Sequence, residues 1–169
     1  MNKSFKGEYI SFYTRLLKRL TPVLFLILFA LFKLYFGRSA ERLADYRIYF
    51  LVFLVVCVII GIYYHVDKIR TVVNEIKISD DKLQIIGQDF NSKYEDTLDI
   101  NTTMLEIQEE ELGKNKTRYC LEIYSEDKYY YLNKFNDWNY KTLAEIVDEY
   151  KLRTGKNVSG MEFYSRLTS

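Results

Sequence analysis

The hydrophobic pattern divides the chain into two halves. Two long apolar runs lie in the first half: LTPVLFLILFALFKLYFG, which begins at Leu20, and IYFLVFLVVCVIIGIYY, which begins at Ile48. About 17 to 25 apolar residues, at 1.5 Å each, cross a hydrocarbon core of about 30 Å. Neither run shows a polar face, as a surface helix of a soluble protein would. We therefore predict transmembrane helices at residues 20–36 and 48–65, joined by a short extracytoplasmic loop at 37–47.

The basic residues near the ends of these runs predict the orientation. Seven lie before the first run or after the second: Lys3, Lys6, Arg15, Lys18, Arg19, Lys68 and Arg70. The loop holds three, Arg38, Arg42 and Arg47, which Glu41 and Asp45 offset. Because cytoplasmic segments carry the excess of Lys and Arg, both termini are predicted in the cytoplasm.

Residues 1–19 form a cytoplasmic segment with an amphipathic pattern. Apolar side chains recur at helical spacing from Phe5 to Leu20, with charged residues between them. This pattern favours a helix lying on anionic lipid. The alternatives are an extension of the first span and a helix that docks on the soluble domain.

After Arg70 the pattern changes to short alternating runs separated by polar turns. The predicted strands are NEIKIS (74–79), KLQIIG (82–87), EDTLDI (95–100), TTMLEIQ (102–108), TRYCLEIYS (117–125) and KYYYLNKF (128–135). Strands at this spacing are typical of a small antiparallel barrel or sandwich.

A helix is predicted after the last strand, with Asn136 or Asp137 as its cap and Gly155 after its end. Its apolar stripe consists of Leu143, Ile146, Val147 and Tyr150. The domain thus covers residues 71–155, and residues 156–169 form a tail.

The stretch KYYYLNKFNDWNYKTLAEIVDEY joins this last strand to the helix. Alternation places Tyr129 and Tyr131 on one side of the strand, and Tyr130 and Leu132 on the other. Trp138 stands at the junction, where we predict a buried ring rather than a ligand-binding one.

Three stretches, NEIKISDDKLQIIG, EDTLDINTTMLEIQ and YYYLNKFNDWNYKTLAEIVDEY, give an order of strands that resembles the bacterial pleckstrin-homology-like (PH-like) membrane proteins. The resemblance implies an α+β fold in which a transmembrane helical hairpin precedes a small antiparallel β-barrel, partly open and closed by the C-terminal α-helix. It also implies seven strands, and residues 88–94 are the candidate for the seventh. Phosphoinositide binding does not transfer, because the first hairpin turn is SDD with only Lys77 and Lys82 beside it.

Composition and motifs limit the classes of function that we expect for this chain. A net charge of +1 argues against a strongly basic nucleic-acid binder. The sequence contains no nucleotide-binding, hydrolase or zinc motif, so we expect no enzyme activity and no cofactor. Two charged groups remain as possible contacts with lipid headgroups or a partner: the acidic run Glu109, Glu110 and Glu111, and the basic turn Lys114, Lys116 and Arg118.

Together these features predict a non-enzymatic module anchored in the bacterial inner membrane by two spans. Such a module binds a protein partner, or regulates a membrane complex, at the cytoplasmic face. The alternative is a small immunity protein of a conflict system that blocks a toxin.

Overall fold

The computed structural model describes residues 2–36, 46–113 and 116–168. The chain folds as two compact units. One, the helical unit, is Ser11–Arg70. The other, the sheet unit, combines Met1–Ile10 with Thr71–Ser169. The helical unit is therefore inserted, in sequence, between the first ten residues and the rest of the sheet unit.

The helical unit contains α1 (Phe12–Phe36) and α2 (Arg47–Ile69), which pack against each other. Arg15, near the start of α1, donates from Nη1 to the carbonyl oxygen of Arg70, just past the end of α2, at 3.4 Å. The start of one helix thus lies beside the end of the other, which makes the pair antiparallel. The contact also places a cation at the helix C-terminus, where the helix dipole favours it.

The prediction of two membrane spans is supported for one helix only. Within the described residues, Ile48–Val66 of α2 alone is long and apolar enough to cross a membrane. The first predicted span lies in α1, where Lys18 and Arg19 precede the apolar stretch and Lys33 interrupts it near the end. Of the predicted loop, residues 37–45 lie outside the described residues.

The sheet unit contains two antiparallel sheets, and the protein is α+β as predicted. The first sheet has the order β1-β2-β3-β4 and the second the order β5-β6-β7. The strands are β1 (Lys3–Lys6), β2 (Thr71–Ile78), β3 (Lys82–Asp89), β4 (Ser92–Asp99), β5 (Met104–Gly113), β6 (Lys116–Ser125) and β7 (Lys128–Leu132). All six predicted strands are present, and most are longer than their apolar runs.

The seventh strand is β1, at the N-terminus. Phe5 of β1 pairs with Ile76 of β2 and is 4% exposed. The predicted amphipathic helix is therefore wrong for the first residues, and α1 begins only at Phe12. Residues 88–94, the candidate for the seventh strand, instead form the β3–β4 hairpin, whose turn residue Phe90 has a φ of 55°.

The resemblance implied a partly open barrel, and the described strands form two separate antiparallel sheets rather than a closed barrel. Among the described strands, no ladder joins the two sheets. The outer edge of β5 is occupied by the tail instead, since the N–H of Ile107 donates to the carbonyl oxygen of Ser159 at 2.9 Å. The core lies between the inner faces of the sheets and includes Ile76, Ile85, Ile107, Leu121 and Ile123.

Helix α3 (Tyr140–Thr154) packs on this core as predicted. Its stripe of Leu143, Ile146, Val147 and Tyr150 is buried, and Gly155 ends the helix with a φ of 66°. The cap prediction is wrong by a few residues. Asn139 caps the helix by accepting from the N–H of Lys141 at 2.8 Å, while Asp137 accepts from the N–H of Phe135 in the preceding loop.

Trp138 is buried, as predicted, and is 4% exposed. Its indole N–H donates to the carbonyl oxygen of Val73 at 3.1 Å. The N-terminal segment covers the ring, because a Cβ added at Gly7 would lie 2.7 Å from Trp138 Cε2.

The C-terminal tail also docks on the core. Met161, Phe163 and Tyr164 pack against it, and Leu167 of α4 (Tyr164–Thr168) is buried.

Candidate interaction site

Several charged residues predicted as contacts on the β5–β6 hairpin form hydrogen bonds within the sheet unit. Arg118 is buried and donates from Nε to Glu110 Oε2 at 3.1 Å, and it also bonds the carbonyl oxygen of Lys134. Glu109 accepts from the hydroxyl of Tyr119 at 3.2 Å and from Arg166 at 3.1 Å. These three predicted contact residues therefore hold strands, loop and tail together.

The other members of that prediction lie at the hairpin end. Glu111 and Lys116 are exposed, and Lys114 lies outside the described residues. Arg118 is buried, so it does not share a solvent-facing surface with Glu111 and Lys116. A contact of Glu111 or Lys116 with a partner or headgroup stays a prediction.

The outer face of the second sheet carries a cluster of tyrosines and carboxylates, which we call the tyrosine face. Cross-strand pairing brings its members together: Tyr124 lies opposite both Tyr129 and Met104, and Glu122 lies opposite both Tyr131 and Glu106. The rings of Tyr124 and Tyr129 are 5.1 Å apart, and those of Tyr129 and Tyr131 are 6.4 Å apart. The result is a row of three contacting rings on one face of β6 and β7.

Glu122 organises this row. It is buried, and it accepts hydrogen bonds from the hydroxyls of Tyr129, at 2.8 Å, and Tyr124. The bond to Glu122 raises the pKa of Tyr124 to about 12, and burial together with the same carboxylate raises the pKa of Tyr129. Both phenols therefore remain protonated donors at neutral pH, and they fix the rings in place.

The tyrosine face exposes apolar surface despite these internal bonds. Met104 is 61% exposed, Tyr129 53% and Tyr124 37%. Aromatic residues and Met are enriched in protein interfaces, and contiguous apolar surface marks interaction sites. The alternation of KYYYL predicted that Tyr129 and Tyr131 share a side, but the sequence did not reveal Glu122 as their partner.

A second feature is a cleft of about 310 Å³, which we call the inter-sheet cleft. It is lined by residues of β2, β3, β4, β7 and the loop after β7: Thr71, Val72, Val73, Asp89, Tyr94, Asp96, Tyr129, Tyr130, Tyr131 and Lys134. It lies between the first sheet and strand β7 of the second sheet. Sequence reasoning missed this site, because its members come from four strands and no local motif joins them.

Aromatic and acidic groups meet in this cleft. The rings of Tyr94 and Tyr130 stack with centroids 6.5 Å apart, and the Tyr130 hydroxyl donates to Asp96 at 2.8 Å. A hydrogen bond from Lys128 lowers the pKa of Asp96, so this carboxyl is ionised at neutral pH. Gly87 makes room for Tyr94, since a Cβ there would overlap the Tyr94 ring.

Groups for metal or thiol chemistry are sparse in the part of the chain that the structure describes. No three His, Cys, Asp or Glu side chains there are arranged to hold a metal ion. Cys57 is exposed on α2, and Cys120 is buried in β6, where burial raises the pKa of its thiol. A raised pKa leaves Cys120 as an inert thiol rather than a nucleophile.

Comparison with known proteins identifies no relative of this chain. No protein-family model matches the chain, and no curated protein or solved structure is significantly similar to it.

Proposed function

We propose that this chain is a non-enzymatic, membrane-anchored PH-like module that binds a protein partner at the cytoplasmic face of the inner membrane. The observation that carries the proposal is the tyrosine face, an exposed aromatic surface held in place by Glu122. The anchoring and the fold class are supported by separate observations.

The strand count supports the PH-like assignment. The resemblance implies seven strands in two sheets with a C-terminal helix, and the sheet unit has four strands, three strands and then α3. The seventh strand comes from before the helices rather than after them. The helical unit is thus an insertion between β1 and β2.

The position of β1 supports two membrane crossings. β1 pairs with β2 in one sheet, so residues 3–6 and 75–78 lie on the same side of any membrane. The chain between them must then cross an even number of times. If α2 crosses the bilayer, α1 must cross it as well, so that β1 and β2 remain on the same side.

The surface of α1 supports the same conclusion. Its apolar side chains point outward: Phe25 is 70% exposed, Leu26 65%, Leu28 65% and Phe36 77%. An exposed surface of this kind is costly in water and stable in lipid. The interrupting Lys33 lies near the helix end, where its stem reaches the interface.

The chemistry of the tyrosine face favours a protein partner. Tyrosine rings supply large, rigid contact area, and their polar ends tolerate solvent before binding. The carboxylates Glu106 and Glu122 lie among these rings, so a partner segment with Lys or Arg side chains complements the face in both charge and aromaticity.

Affinity purification of the full chain from membranes in mild detergent tests the proposal. We expect a defined protein to co-purify with the wild type and to be lost in the double variant Tyr124→Ser/Tyr129→Ser. Tyr9→Ser is the matched control, since Tyr9 is 62% exposed and lies outside the face. Retention of the partner by the double variant, or no partner with any variant, contradicts the proposal.

A further inference from the structure

The outer edge of β7 borders the inter-sheet cleft, and no described strand lies beside it. We propose that an extended segment of the protein partner adds to this edge as a further strand and fills the cleft. The inference rests on the proposed function, because it describes how the partner of the tyrosine face is bound. Such strand addition joins two chains through main-chain hydrogen bonds, and alternate side chains give the specificity.

The hairpin turn between β6 and β7 determines which main-chain groups face outward. Ser125 and Lys128 pair across a two-residue turn, and such a turn closes with a hydrogen bond between the two flanking residues. Bonded and non-bonded pairs then alternate along an antiparallel ladder. Tyr130 therefore bonds to β6, whereas the N–H and C=O groups of Tyr129 and Tyr131 point away from it. In the described part of the chain no strand pairs with these groups.

The cleft runs along this open edge. Its lining contains Tyr129, Tyr130 and Tyr131, whose side chains alternate between the two faces of the sheet. The wall that all three residues share is therefore the main chain of β7. Since the other edge of β7 pairs with β6, the groups that border the cleft are the ones that point away from β6.

The first sheet supplies a floor for an added strand. Lys128 and Tyr130 bond to Asp96 of β4, and β7 also contacts β2, so β7 lies across the inner face of the first sheet. The cleft continues past β7 to Thr71 and Asp89, which pair with each other at one end of that sheet. The inward side chains of an added strand would pack on this end.

β7 is the least protected edge among the described strands. The edge of β5 is covered by the tail at Ser159, and β1 contacts α3. β4 exposes mostly charged residues at alternate positions, which discourage the pairing of another strand. The sequence of β7, KYYYL, holds one charged residue, Lys128, which bonds to Asp96. The edge that remains suited to a partner strand is therefore that of β7.

The tyrosine face lies beside this edge and favours particular side chains in the added strand. Glu106 and Glu122 lie opposite each other on that face. The hydrogen bonds that they accept among the described residues come from uncharged groups, an amide and two phenols. Their negative charge complements Lys or Arg at the outward positions of the strand. The positions between them face the cleft, where Val73 and the Tyr94 ring favour apolar side chains.

Peptide binding to the full chain in a neutral maltoside detergent tests the inference. The probe is a fluorescein-labelled peptide, Lys-Val-Arg-Val-Lys-Val, which alternates basic and apolar residues. Its control is Lys-Val-Arg-Pro-Lys-Val, which has the same charge but lacks a main-chain donor and cannot form the same ladder. We expect fluorescence anisotropy to show that the proline weakens binding by about tenfold.

Two further measurements locate the bound peptide. Hydrogen exchange at Tyr129 and Tyr131 should slow by about tenfold with the first peptide and stay unchanged with the control. Thr71→Trp fills the cleft from its floor and should weaken binding by about tenfold. Thr97→Trp is the matched control, at an exposed position of β4 outside the cleft, and should keep the wild-type affinity.

Three results overturn the inference: no binding of the first peptide, equal binding of both peptides, or binding that leaves hydrogen exchange in β7 unchanged. The proposed function is tested separately. If the co-purifying protein is lost in Tyr124→Ser/Tyr129→Ser but retained in Thr71→Trp, partner binding at the tyrosine face stands and strand addition at β7 is contradicted.

Discussion

Phe5 offers the sharpest test of the N-terminal strand. The residue is 4% exposed, lies opposite Ile76 and belongs to the core of the sheet unit. Replacing Phe5 by Ala removes the ring from the core. The lost transfer free energy is about 1.5–3 kcal/mol, and the cavity left behind raises the total to about 3–5 kcal/mol.

That loss is large for a unit of this size. Domains of this kind have a net stability of about 5–15 kcal/mol. At about 4 °C per kcal/mol for a domain of roughly 110 residues, Phe5→Ala should lower the melting temperature by about 10–20 °C. Tyr9→Ala, in the same segment but exposed, should change the stability by less than about 0.5 kcal/mol.

Thermal unfolding of the full chain in detergent, followed by the emission of Trp138, measures both variants. Trp138 is the single tryptophan, and Gly7 of the same segment lies against its ring. If the predicted amphipathic segment, residues 1–19, were a helix on the lipid surface, Phe5 would contact lipid and its loss would spare the sheet unit. A melting temperature for Phe5→Ala close to that of Tyr9→Ala would therefore refute the strand.

Three further substitutions test the closing helix and its junction. Trp138→Phe removes the donor to the Val73 carbonyl and should cost about 1–3 kcal/mol by circular-dichroism melting; an unchanged midpoint would rule out this bond. Ile146→Asp buries an unpaired charge at a fully buried position and should abolish cooperative unfolding. Glu145→Asp, at an exposed position, should not. Cooperative melting of Ile146→Asp near the wild-type temperature would contradict the buried stripe. Gly155→Ala forces a side chain into a left-handed conformation and should cost about 1 kcal/mol in urea titration; equal stability would contradict the left-handed cap.

The sequence predicted the strands after Arg70 because their signals are local. Alternating apolar residues such as Ile76 and Ile78 end at the polar turn of Asp80 and Asp81, and this pattern lies within one hairpin. β1 had no such signal. KSFK holds one apolar residue, and its partner strand begins 65 residues after β1 ends, so the pairing depends on tertiary structure.

The helix cap shows how a local signal can be shared by several candidates. The stretch NDWN offers three residues that favour an N-cap, and only Asn139 takes that role because Asp137 is engaged in the preceding loop. The contact residues show a related limit. Glu110 and Arg118 were predicted at a hairpin end, where charges are usually solvated, but they pair across β5 and β6 and Arg118 is buried.

Predicting the two sites required the register of the paired strands more than the residue types. Tyr129 and Tyr131 were placed on one side by alternation alone, whereas their link to Glu122 required the pairing of β6 with β7. The inter-sheet cleft required in addition that the sheets remain unjoined. The tail occupies the edge of β5 through Ser159, whereas the cleft lies beside β7.

Membrane topology tests the central claim, that an inserted pair of spans holds the sheet unit at the cytoplasmic face. Single cysteines are introduced as Asn2→Cys, Ser39→Cys and Asp127→Cys into a chain without Cys57 and Cys120, and intact cells are treated with a membrane-impermeant thiol reagent. We predict that the reagent labels the Ser39→Cys chain and reaches the other two only after the membrane is permeabilised. Labelling of Asn2→Cys and Asp127→Cys on opposite sides, or of all three on one side, would contradict the account.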